Sequence, residues 1–407
     1  MPIAVGVAKQ LVYKKEVTWG TAPGASGAQR LRRVSSDIDL SKETYQSNEI
    51  RTDYQVSDMR HGVRRVSGSM SGELSAGTYK DFMASVCRQA FQTAATTGAV
   101  ITVTSAVTAG ASGTFTRSSG SYLTDGFKVG DVIRWTGWAT PATANNTHNF
   151  IITALTATVM TGTMLDGVAV VAKAAGDSVT GTVAGKKTWV PTTGHTDESY
   201  SIEHYYSDIT QSELFTGCKI NQMDVKLPAT GMGTIDFQVM GKDVTTAGAA
   251  YYTSPTAMST GATMAAVNGA LYVAGNAVAL LTGLDFTVNG NMSSEPVVGS
   301  NTVPDIHEGR VTVSGSMTVF FQDATFRDYF LNETEVSLVA AFTGANTAGA
   351  DVMVFVMPRI KVGGATKDDG EKGLIMTMPF TALHNAAGGT GISSEQTTIS
   401  IQDSSVS

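Results

Sequence analysis

Few residues of the kinds that catalyse reactions or bind metals lie close together in this 407-residue chain. The six histidines are scattered, and only the segment 195–204 combines them with carboxylates, as His195-Thr196-Asp197-Glu198 followed by Glu203 and His204. This is not an HExxH motif, and its spacing fits no usual zinc site. A solvated loop or strand edge is the favoured interpretation, so we expect no metal ion there.

No other stretch supplies a catalytic or cofactor motif. The glycine-rich run 388–391 lacks the lysine and the flanking strand and helix of a phosphate-binding loop. No Gly-x-Ser-x-Gly elbow lies in an α/β context. We therefore expect no enzymatic activity and no cofactor, and the pattern of the chain points to structure and assembly.

The composition is that of a β-rich protein. Hydrophobic residues make up 42% of the chain, enough for large cores, whereas charged residues make up only 15%, against about a quarter in typical domains. Glycine is abundant, with 43 residues, and proline is scarce, with 10. Strands and turns are predicted rather than long helices, and the length suggests two or three domains. The formal net charge of −7 argues against a surface that grips nucleic acid.

Cysteines and termini carry little signal. Cys87 and Cys218 lie too far apart for a disulfide framework, and Cys87 is expected to be a buried free thiol. The first ten residues lack the basic start and apolar core of a signal peptide, and no apolar run approaches the length of a membrane span. We expect a protein that is made in a cytosol and stays soluble until it meets its partners.

Two blocks of the sequence occur twice. Val66-Ser67-Gly68-Ser69-Met70 returns as Val313-Ser314-Gly315-Ser316-Met317, and the segment 78–83 returns as 325–330. Both repeats lie 247 residues apart, and the same offset places Asp58 on Asp305 and Gly62 on Gly309. The chain is therefore predicted to carry one structural module twice.

Each module is predicted to open with a long strand that has one apolar and one polar face. The polar face consists of Ser67, Ser69, Ser71 and Glu73 in the first copy and of Thr312, Ser314, Ser316 and Thr318 in the second. A helix follows at 78–91, and a shorter one in the second copy ends near Asn332. Hairpins at 223–239 and 359–378 complete the two modules.

The remaining segments define the domain organisation. The first module is predicted to span 1–92 and 192–247, interrupted by an all-β domain at 93–191 that projects from it. A connector at 248–283 leads to the second module at 284–407. The polar segments 41–61 and 289–307 show little periodicity and are interpreted as long loops, which often carry interactions.

Several segments of the first module, taken in order, resemble tail tube proteins of long-tailed, siphovirus-type bacteriophages. They are Lys14–Pro23, Tyr45–Arg51 and Arg60–Gly68 followed by Gly77-Thr78-Tyr79. The second module shares the resemblance through the internal repeat. The insertion is similar to the extra domains that decorate the outside of some tail tubes.

The resemblance implies a fold and a function. The fold is mainly β, with two duplicated sandwich or barrel modules, each with one flanking α-helix, and an inserted small all-β domain. Such proteins form rings whose inner sheets close into a barrel, and stacked rings make the tube that carries DNA to the cell. The implied partners are further copies of the chain, the tail terminator, tape measure and distal tail proteins, and double-stranded DNA in transit without specific binding; no membrane is involved. The implied location is the virion tail, after synthesis in the bacterial cytoplasm.

A duplicated chain is expected to supply two positions of such a ring. Six modules would then come from three chains with pseudo-sixfold symmetry, with six chains in a larger arrangement as the alternative. The two polar strand faces are expected to line the lumen. The loop 41–61 is expected to touch the adjacent ring, and its candidate contact residues are Glu43, Tyr45, Gln46, Asn48, Glu49, Arg51 and Asp53.

Basic residues complicate this assignment. The clusters 30–33 and 60–65 are expected to form salt bridges with acidic loops of the next ring rather than to bind nucleic acid. Lys226, Lys361 and Arg65 run against a purely acidic lining, and they either pair with nearby carboxylates or point elsewhere.

Three other functions stay open at this level. A tail terminator or head–tail joining protein of the same particle would share the fold, and only ring stacking separates it from a tube protein. A β-rich surface adhesin would bind a carbohydrate array, although a signal peptide is missing. A hydrolase or depolymerase of a phage particle would need a carboxylate pair or triad that the sequence does not reveal.

Overall fold

The computed structural model describes residues 3–98, 101–278, 280–368, 371 and 373–407. Short 3-10 turns lie at Gly6–Ala8, Ala142–Asn145 and Ala266–Asn268, and two α-helices are present in these residues, α1 (Lys80–Cys87) and α2 (Thr325–Leu331). The strands up to the insertion are β1 (Lys9–Lys15), β2 (Gln29–Arg30), β3 (Ser35–Ser36), β4 (Asp39–Gln46) and β5 (Met59–Glu73). Those of the insertion are β6 (Ile101–Ala109), β7 (Ser112–Arg117), β8 (Val132–Thr136), β9 (Phe150–Leu155), β10 (Val159–Met164) and β11 (Lys173–Val183). They are followed by β12 (Lys186–Trp189), β13 (Tyr200–Tyr206), β14 (Gln211–Pro228), β15 (Thr234–Gly241), β16 (Asp243–Ala247), β17 (Gly269–Val273), β18 (Asn276–Ala277) and β19 (Leu281–Asn289). The last are β20 (Thr312–Phe320), β21 (Val336–Thr343), β22 (Val352–Val362), β23 (Thr366–Lys367), β24 (Ile375–Ala382) and β25 (Ser400–Asp403).

One antiparallel sheet of eight strands runs through both modules. Its order is β4–β5–β15–β14–β19–β20–β24–β22, with β3 beside β4 on β5 and β23 beside β22 on β24. The first four strands belong to the first module and the last four to the second. The seam between the modules is the pairing of β14 with β19, from Gln222 opposite Asn289 to Pro228 opposite Gly283. This eight-stranded sheet carries the candidate functional surfaces.

The two modules have the same strand register, which confirms that the sequence repeat is a structural duplication. In the first module Val66 of β5 lies opposite Gly241 and Glu73 opposite Thr234. In the second module the repeat positions, Val313 and Phe320, lie opposite Ala382 and Ile375 in the same way. The predicted long strands and hairpins of both copies are therefore present.

A second sheet covers the apolar side of each half. In the first module it has the order β2–β1–β13–β14–β16, and in the second β18–β17–β21–β22–β25–β12. The strands β14 and β22 belong to both sheets of their module, so each module is a sandwich joined by one long strand. In β14 the change of sheet follows Gly217, which has a left-handed backbone with a φ of +68°. A residue with a side chain adopts this conformation only at a cost.

The two helices are packed to different degrees. Helix α1 is buried, and the Phe82 ring contacts Tyr13, Tyr200 and Phe237 at centroid distances of 4.7, 5.3 and 5.5 Å. Helix α2 has no buried residue and rests on the sheet only through the half-buried Phe326 and Tyr329. The first helix is shorter than the predicted 78–91, because the chain leaves the helix at Arg88, which has a left-handed backbone (φ +57°); the second is one residue shorter than the first and ends directly before Asn332, as predicted.

The insertion forms a closed six-stranded barrel in the order β10–β7–β6–β11–β8–β9. Aromatic rings fill it, with Phe115 4.9 Å from Phe150 and 5.0 Å from Trp135 between centroids. The sequence predicted a separate all-β domain that projects from the first module. The barrel is all-β, but it does not stand apart, because its base packs on the second module.

Apolar and polar contacts fix that base. Val132 and Ile151 of the barrel join Val339, Val354 and Val356 of the second module in one buried cluster. Below it, Gln402 of β25 accepts a hydrogen bond from the Val132 amide (2.9 Å) and donates to the carbonyls of Val132 and Ala184 (2.8 Å each). A buried ion pair, Lys187 with Asp131 at 2.5 Å, closes the junction. The insertion therefore ties the two modules together.

The segment 41–61 is largely a hairpin rather than a long loop. Strand β4 continues to Gln46 and pairs with the start of β5, with Tyr45 opposite Arg60 and Gln46 opposite Met59. The Tyr45 ring lies over Gly62, where a Cβ would come within 2.3 Å of it. The sequence did not predict this hairpin because its few apolar residues, such as Tyr45 and Met59, do not alternate regularly with polar ones. We call residues 43–61 the arm. The corresponding segment 290–311 follows β19 and holds no named strand.

Candidate functional site

The polar side of the eight-stranded sheet contains all eight residues predicted for the two polar strand faces. Ser67, Ser69, Ser71 and Glu73 on β5, and Thr312, Ser314, Ser316 and Thr318 on β20, are exposed or half-buried. Their neighbours in sequence, such as Val66, Met70, Val313 and Met317, are buried in the main core. The two strands belong to one sheet, so these side chains share a single continuous surface.

Hydroxyl groups on this surface bind the adjacent strands to each other. The hydroxyls of Ser35 and Ser71 are 2.5 Å apart. Asp37 accepts hydrogen bonds from the amide of Ser69 (2.5 Å) and from its hydroxyl (3.0 Å). These contacts, the amide bond first, hold the pKa of the Asp37 carboxyl below its usual value. Thr282 donates to the Thr318 hydroxyl at 2.9 Å in the second copy.

Charged residues gather at the seam in the middle of the sheet. Lys226 on β14 lies opposite Asp285 on β19, and Asp224 lies opposite Asp236 on β15. Desolvation raises the pKa of Asp236; the Asp224 charge adds to this rise, whereas Lys226 opposes it. Desolvation also raises the pKa of Asp285, again against Lys226. The seam thus holds three carboxylates around one lysine, which gives the centre of the surface an acidic character.

The other basic residues in question pair elsewhere. Arg65 contacts Glu43 at 3.3 Å, and Lys361 contacts Glu333 at 2.7 Å. The basic clusters likewise find partners inside the chain, as Arg64 does with Asp243 at 2.7 Å. Of the three basic residues that the sequence left open, Lys226 alone lies among the carboxylates Asp224 and Asp236.

The glycine of the repeated motif has a structural role that the sequence did not explain. A Cβ on Gly68, whose φ is +155°, would lie 2.5 Å from the Cα of Ile38 on the adjoining segment. A Cβ on Gly315 would lie 2.3 Å from the Asp285 carbonyl oxygen. In both copies, therefore, the glycine allows the backbone of the adjoining segment to approach closely at this point.

Both edges of the eight-stranded sheet are open within the described residues. Strands β3 and β4 pair there only with β5, and β23 pairs only with β24. The end strand β22 pairs with β21 as far as Ile360, and its last residues, Lys361 and Val362, pair only with β24. An open edge presents unpaired backbone groups, which recruit another strand. The two edges come from different modules and lie at opposite ends of the strand order, so one edge of a chain is suited to meet the other edge of a second copy.

The arm carries the seven residues predicted to contact another ring. Glu43, Tyr45 and Gln46 lie in β4, whereas Asn48, Glu49, Arg51 and Asp53 lie in the turn that follows. Arg51 pairs with Asp53 at 2.9 Å. The predicted contact residues did not include the apolar residues of the turn, although Ile50 and Tyr54 are almost fully exposed. Large apolar side chains in an otherwise polar turn are the sequence feature that indicates a contact surface here.

The histidine-containing segment falls into two parts: His195 and Asp197 lie exposed in a loop, as predicted, whereas the second part is not a solvated edge. Glu203 and His204 are buried in β13, where Glu203 accepts from the Ser212 hydroxyl at 2.6 Å. His204 lies 2.9 Å from the Ser36 hydroxyl, and burial, with the charges of Lys9 and Arg33, lowers its pKa to about 3. Among the described residues no group of three or more His, Cys, Asp or Glu could hold a metal ion.

The comparison with known families decides what this sheet belongs to. The family model described as phage tail tube protein matches residues 6–382. The chain belongs to the phage tail tube protein family. No curated protein matches the chain at a significant level.

The family assigns this tail tube protein to the structural components of the bacteriophage virion. Its mainly β fold, with two sandwiches and a barrel, agrees with the resemblance found in the sequence. Family membership implies assembly with further copies of itself and with other tail proteins, and a structural rather than an enzymatic role. In the part of the chain that the structure describes, no helix is long and apolar enough to cross a membrane.

Proposed function

We propose that this tail tube protein assembles into rings of three chains with pseudo-sixfold symmetry, and that the rings stack into the tube through which phage DNA leaves the capsid. The observation that carries the proposal is the eight-stranded sheet, with four strands from each module and an open edge at either end. Joining edge to edge removes every open edge only when the sheet closes on itself.

The dimensions support three chains. Three sheets of eight strands give a barrel whose circumference is about 150 Å and whose diameter is about 48 Å, at roughly 4.8 Å per strand and a tilt near 40°. Side chains reduce the opening to about 35–40 Å, and a DNA duplex about 20 Å wide passes through such a barrel. The apolar side of each sheet is covered by the second sheet of its module, so the polar side is the one left for the lumen.

The chemistry of the polar side suits transit of DNA. Ser67, Ser69 and Ser316 present short hydroxyls, and the carboxylates at the seam repel phosphates. A lining of lysines and arginines would instead bind phosphates and release counterions at each contact, which makes binding tight and salt-dependent. Weak attraction and mild repulsion allow the duplex to slide.

The arm is the proposed contact between stacked rings. Its turn exposes Ile50 together with the charged residues Glu49, Arg51 and Asp53. Apolar side chains surrounded by charges are typical of protein interfaces. The tail terminator, the tape measure protein and the distal tail protein are the proposed partners at the ends and inside the tube, with the bacterial cytoplasm as the place of synthesis.

Negative-stain electron microscopy and mass measurement of the purified protein test this proposal. We expect rings with about three times the chain mass of 42.5 kDa, and stacked tubes at high concentration. The variant E49K/R51E/D53K should form rings that do not stack, whereas a K14E change outside the arm should stack normally. Single rings that never stack would favour a terminator or joining protein, and a lasting monomer would refute the proposal.

A further inference from the structure

The two modules correspond position by position, which allows a contact seen inside the chain to be transferred to a contact between chains. Lys219 on β14 lies opposite Met240 on β15. Lys361 on β22 lies opposite Thr381 on β24. Met240 and Thr381 each directly precede the residue that pairs with the first valine of the repeated motif. Lys219 and Lys361 are therefore equivalent positions. Because the shared strand register also fixes the repeat offset of 247 residues, Asp305 in the second module corresponds to Asp58 in the first.

Inside the chain, the segment 301–306 of the second module is docked on the first module. The amide of Arg64 donates to the Asn301 carbonyl at 3.0 Å. The Lys219 ammonium contacts the Asp305 carboxylate at 3.3 Å and donates to the Ile306 carbonyl at 2.9 Å. Val303 and Ile306 are each only 1% exposed. A lysine of one module thus receives a carboxylate and a backbone carbonyl of the next, in a segment whose two apolar side chains are fully buried.

The equivalent segment of the first module, 54–59, lacks this cover. Val56 and Met59, which correspond to Val303 and Ile306, are 65% and 48% exposed. Asp58 contacts only the exposed Arg60 among basic side chains of the described residues. The residues that a preceding module would bury are of the same type in both copies, but the first copy has no preceding module within the chain.

The matching receptor is present on the second module. The Lys361 side chain is 39% exposed, whereas that of Lys219 is 3% exposed. Each lysine has a carboxylate from its own module, Glu333 for Lys361 and Asp197 for Lys219. Lys219 gains its second carboxylate, Asp305, across the seam. Lys361 is therefore a cationic site placed beside the open edge at β22 and β23, where a neighbouring copy would supply the missing partner.

We propose that the segment 54–59 of one copy docks on the second module of a neighbouring copy, with Asp58 against Lys361 and with Val56 and Met59 buried. The partner is a second copy of this chain, and the contact is lateral, within one ring. The inference rests on the proposed ring, and it divides the arm in two. The tip, 47–53, contacts the next ring, and the base, 54–59, contacts the next chain of the same ring. In the docked state the base no longer pairs with the end of β4 near Gln46. The equivalent segment 301–306 has no strand pairing of this kind.

Charge exchange at the two positions tests the proposal. Association of chains into rings, measured by analytical ultracentrifugation at low salt, should weaken about tenfold in D58K and in K361E, because each change places like charges together. The double variant D58K/K361E should restore association, since every lateral contact again joins opposite charges. R327E, which reverses an exposed charge on α2, is the matched control and should assemble as the unaltered chain does.

The outcomes separate this inference from the proposed function. If the unaltered chain forms no rings, the proposed function fails. If it forms rings and both single variants associate as tightly as R327E, the ring stands and the lateral docking is wrong. Failure of the double variant to recover, with circular dichroism showing a folded chain, would show that the two side chains do not meet. V56S/M59S gives an independent check, because loss of two buried apolar side chains should weaken rings, whereas I50S at the tip should not.

Discussion

At the scale of residues, the alternation of polar and apolar side chains along a strand could be predicted from the sequence. The tertiary contacts of individual side chains could not. The alternation of Ser67, Ser69 and Ser71 with buried neighbours is local, and it predicted the polar side of the sheet correctly. The surroundings of His204 are not local, because Ser36, Lys9 and Arg33 come from distant parts of the sequence. The same holds for Lys219, whose burial depends on a segment of the other module.

Gly68 gives a direct test of the repeated motif. A G68A change should lower the free energy of unfolding of the unassembled subunit by about 1–3 kcal/mol, since its Cβ would push the backbone at Ile38 away from β5. G62A on the same strand is the control, because its Cβ meets the exposed ring of Tyr45, which can turn outward. Urea unfolding measures both variants. Equal losses would show that the close approach at Gly68 is not required.

His204 predicts a pH dependence. Its pKa in the folded chain is about 3, below the ordinary value near 6.5, so the unfolded chain binds the proton more tightly and stability falls as the pH drops below about 6.5. Between pH 6.5 and 5, the free energy of unfolding should fall by up to about 1.4 kcal/mol per pH unit more in the unaltered chain than in H204Q. The two proteins share all other titrating groups, so identical pH profiles would contradict a buried neutral histidine.

At the scale of elements, local periodicity identified most strands, and tertiary pairing decided the rest. The hairpins at 223–239 and 359–378 were predicted because apolar alternation brackets a polar turn. The β4–β5 hairpin was missed, since in residues 43–46 and 59–61 only Tyr45 and Met59 are large and apolar, too few to form an alternating pattern, and backbone pairing holds the two strands together. The all-β nature of the insertion was predicted as well, but its seat on the second module was not, because the valines of β21 and β22 gave no sign of what covers them.

Deletion of the barrel tests whether its packing on the second module is needed for a soluble protein. Joining Gln92 to Lys187 by a two-residue turn, which their backbone hydrogen bonds permit, would expose Val339, Val354 and Val356 and cost on the order of 5 kcal/mol. We expect a mostly insoluble protein whose soluble fraction binds a hydrophobic dye. A ten-residue tag inserted at the turn 110–111, between β6 and β7, should leave solubility unchanged. A soluble, dye-negative deletion variant would show that the barrel is dispensable.

At the scale of the whole molecule, the repeat in the sequence was the decisive signal. It predicted two modules, and the structure joins them by a seam that the sequence did not reveal, with Asp224 opposite Thr287. Thr366 of the second module is equivalent to Asp224, and Asp39 of the first module is equivalent to Thr287. Where two copies join edge to edge, Thr366 of one copy is therefore expected opposite Asp39 of the other. The hydrogen bond from a threonine hydroxyl to an aspartate carboxylate found within the chain is then possible again, with the two sides exchanged.

Cysteine cross-linking reads out this register. The variant D39C/T366C should form disulfides between copies under mild oxidation, because residues directly opposite on antiparallel strands have Cβ atoms about 4.5–5.5 Å apart. Denaturing electrophoresis should show a ladder that stops at three chains. S41C/T366C, shifted by two residues, should cross-link poorly. A ladder that stops at six would support the larger ring, and equal yields from both variants would contradict the register.

The two strands of the seam, β14 and β19, belong to one polypeptide, and this has a consequence for the control of assembly. In a three-chain ring, half of the module junctions form as each polypeptide folds, at an effective concentration set by the connector and independent of how much protein the cell holds. Only the other half depend on collision between chains, so dilution, salt or a binding chaperone can act on ring closure through those junctions alone. The joining of two modules in one chain thereby confines the concentration dependence of ring closure to every second junction and frees the fused junction to evolve for strength.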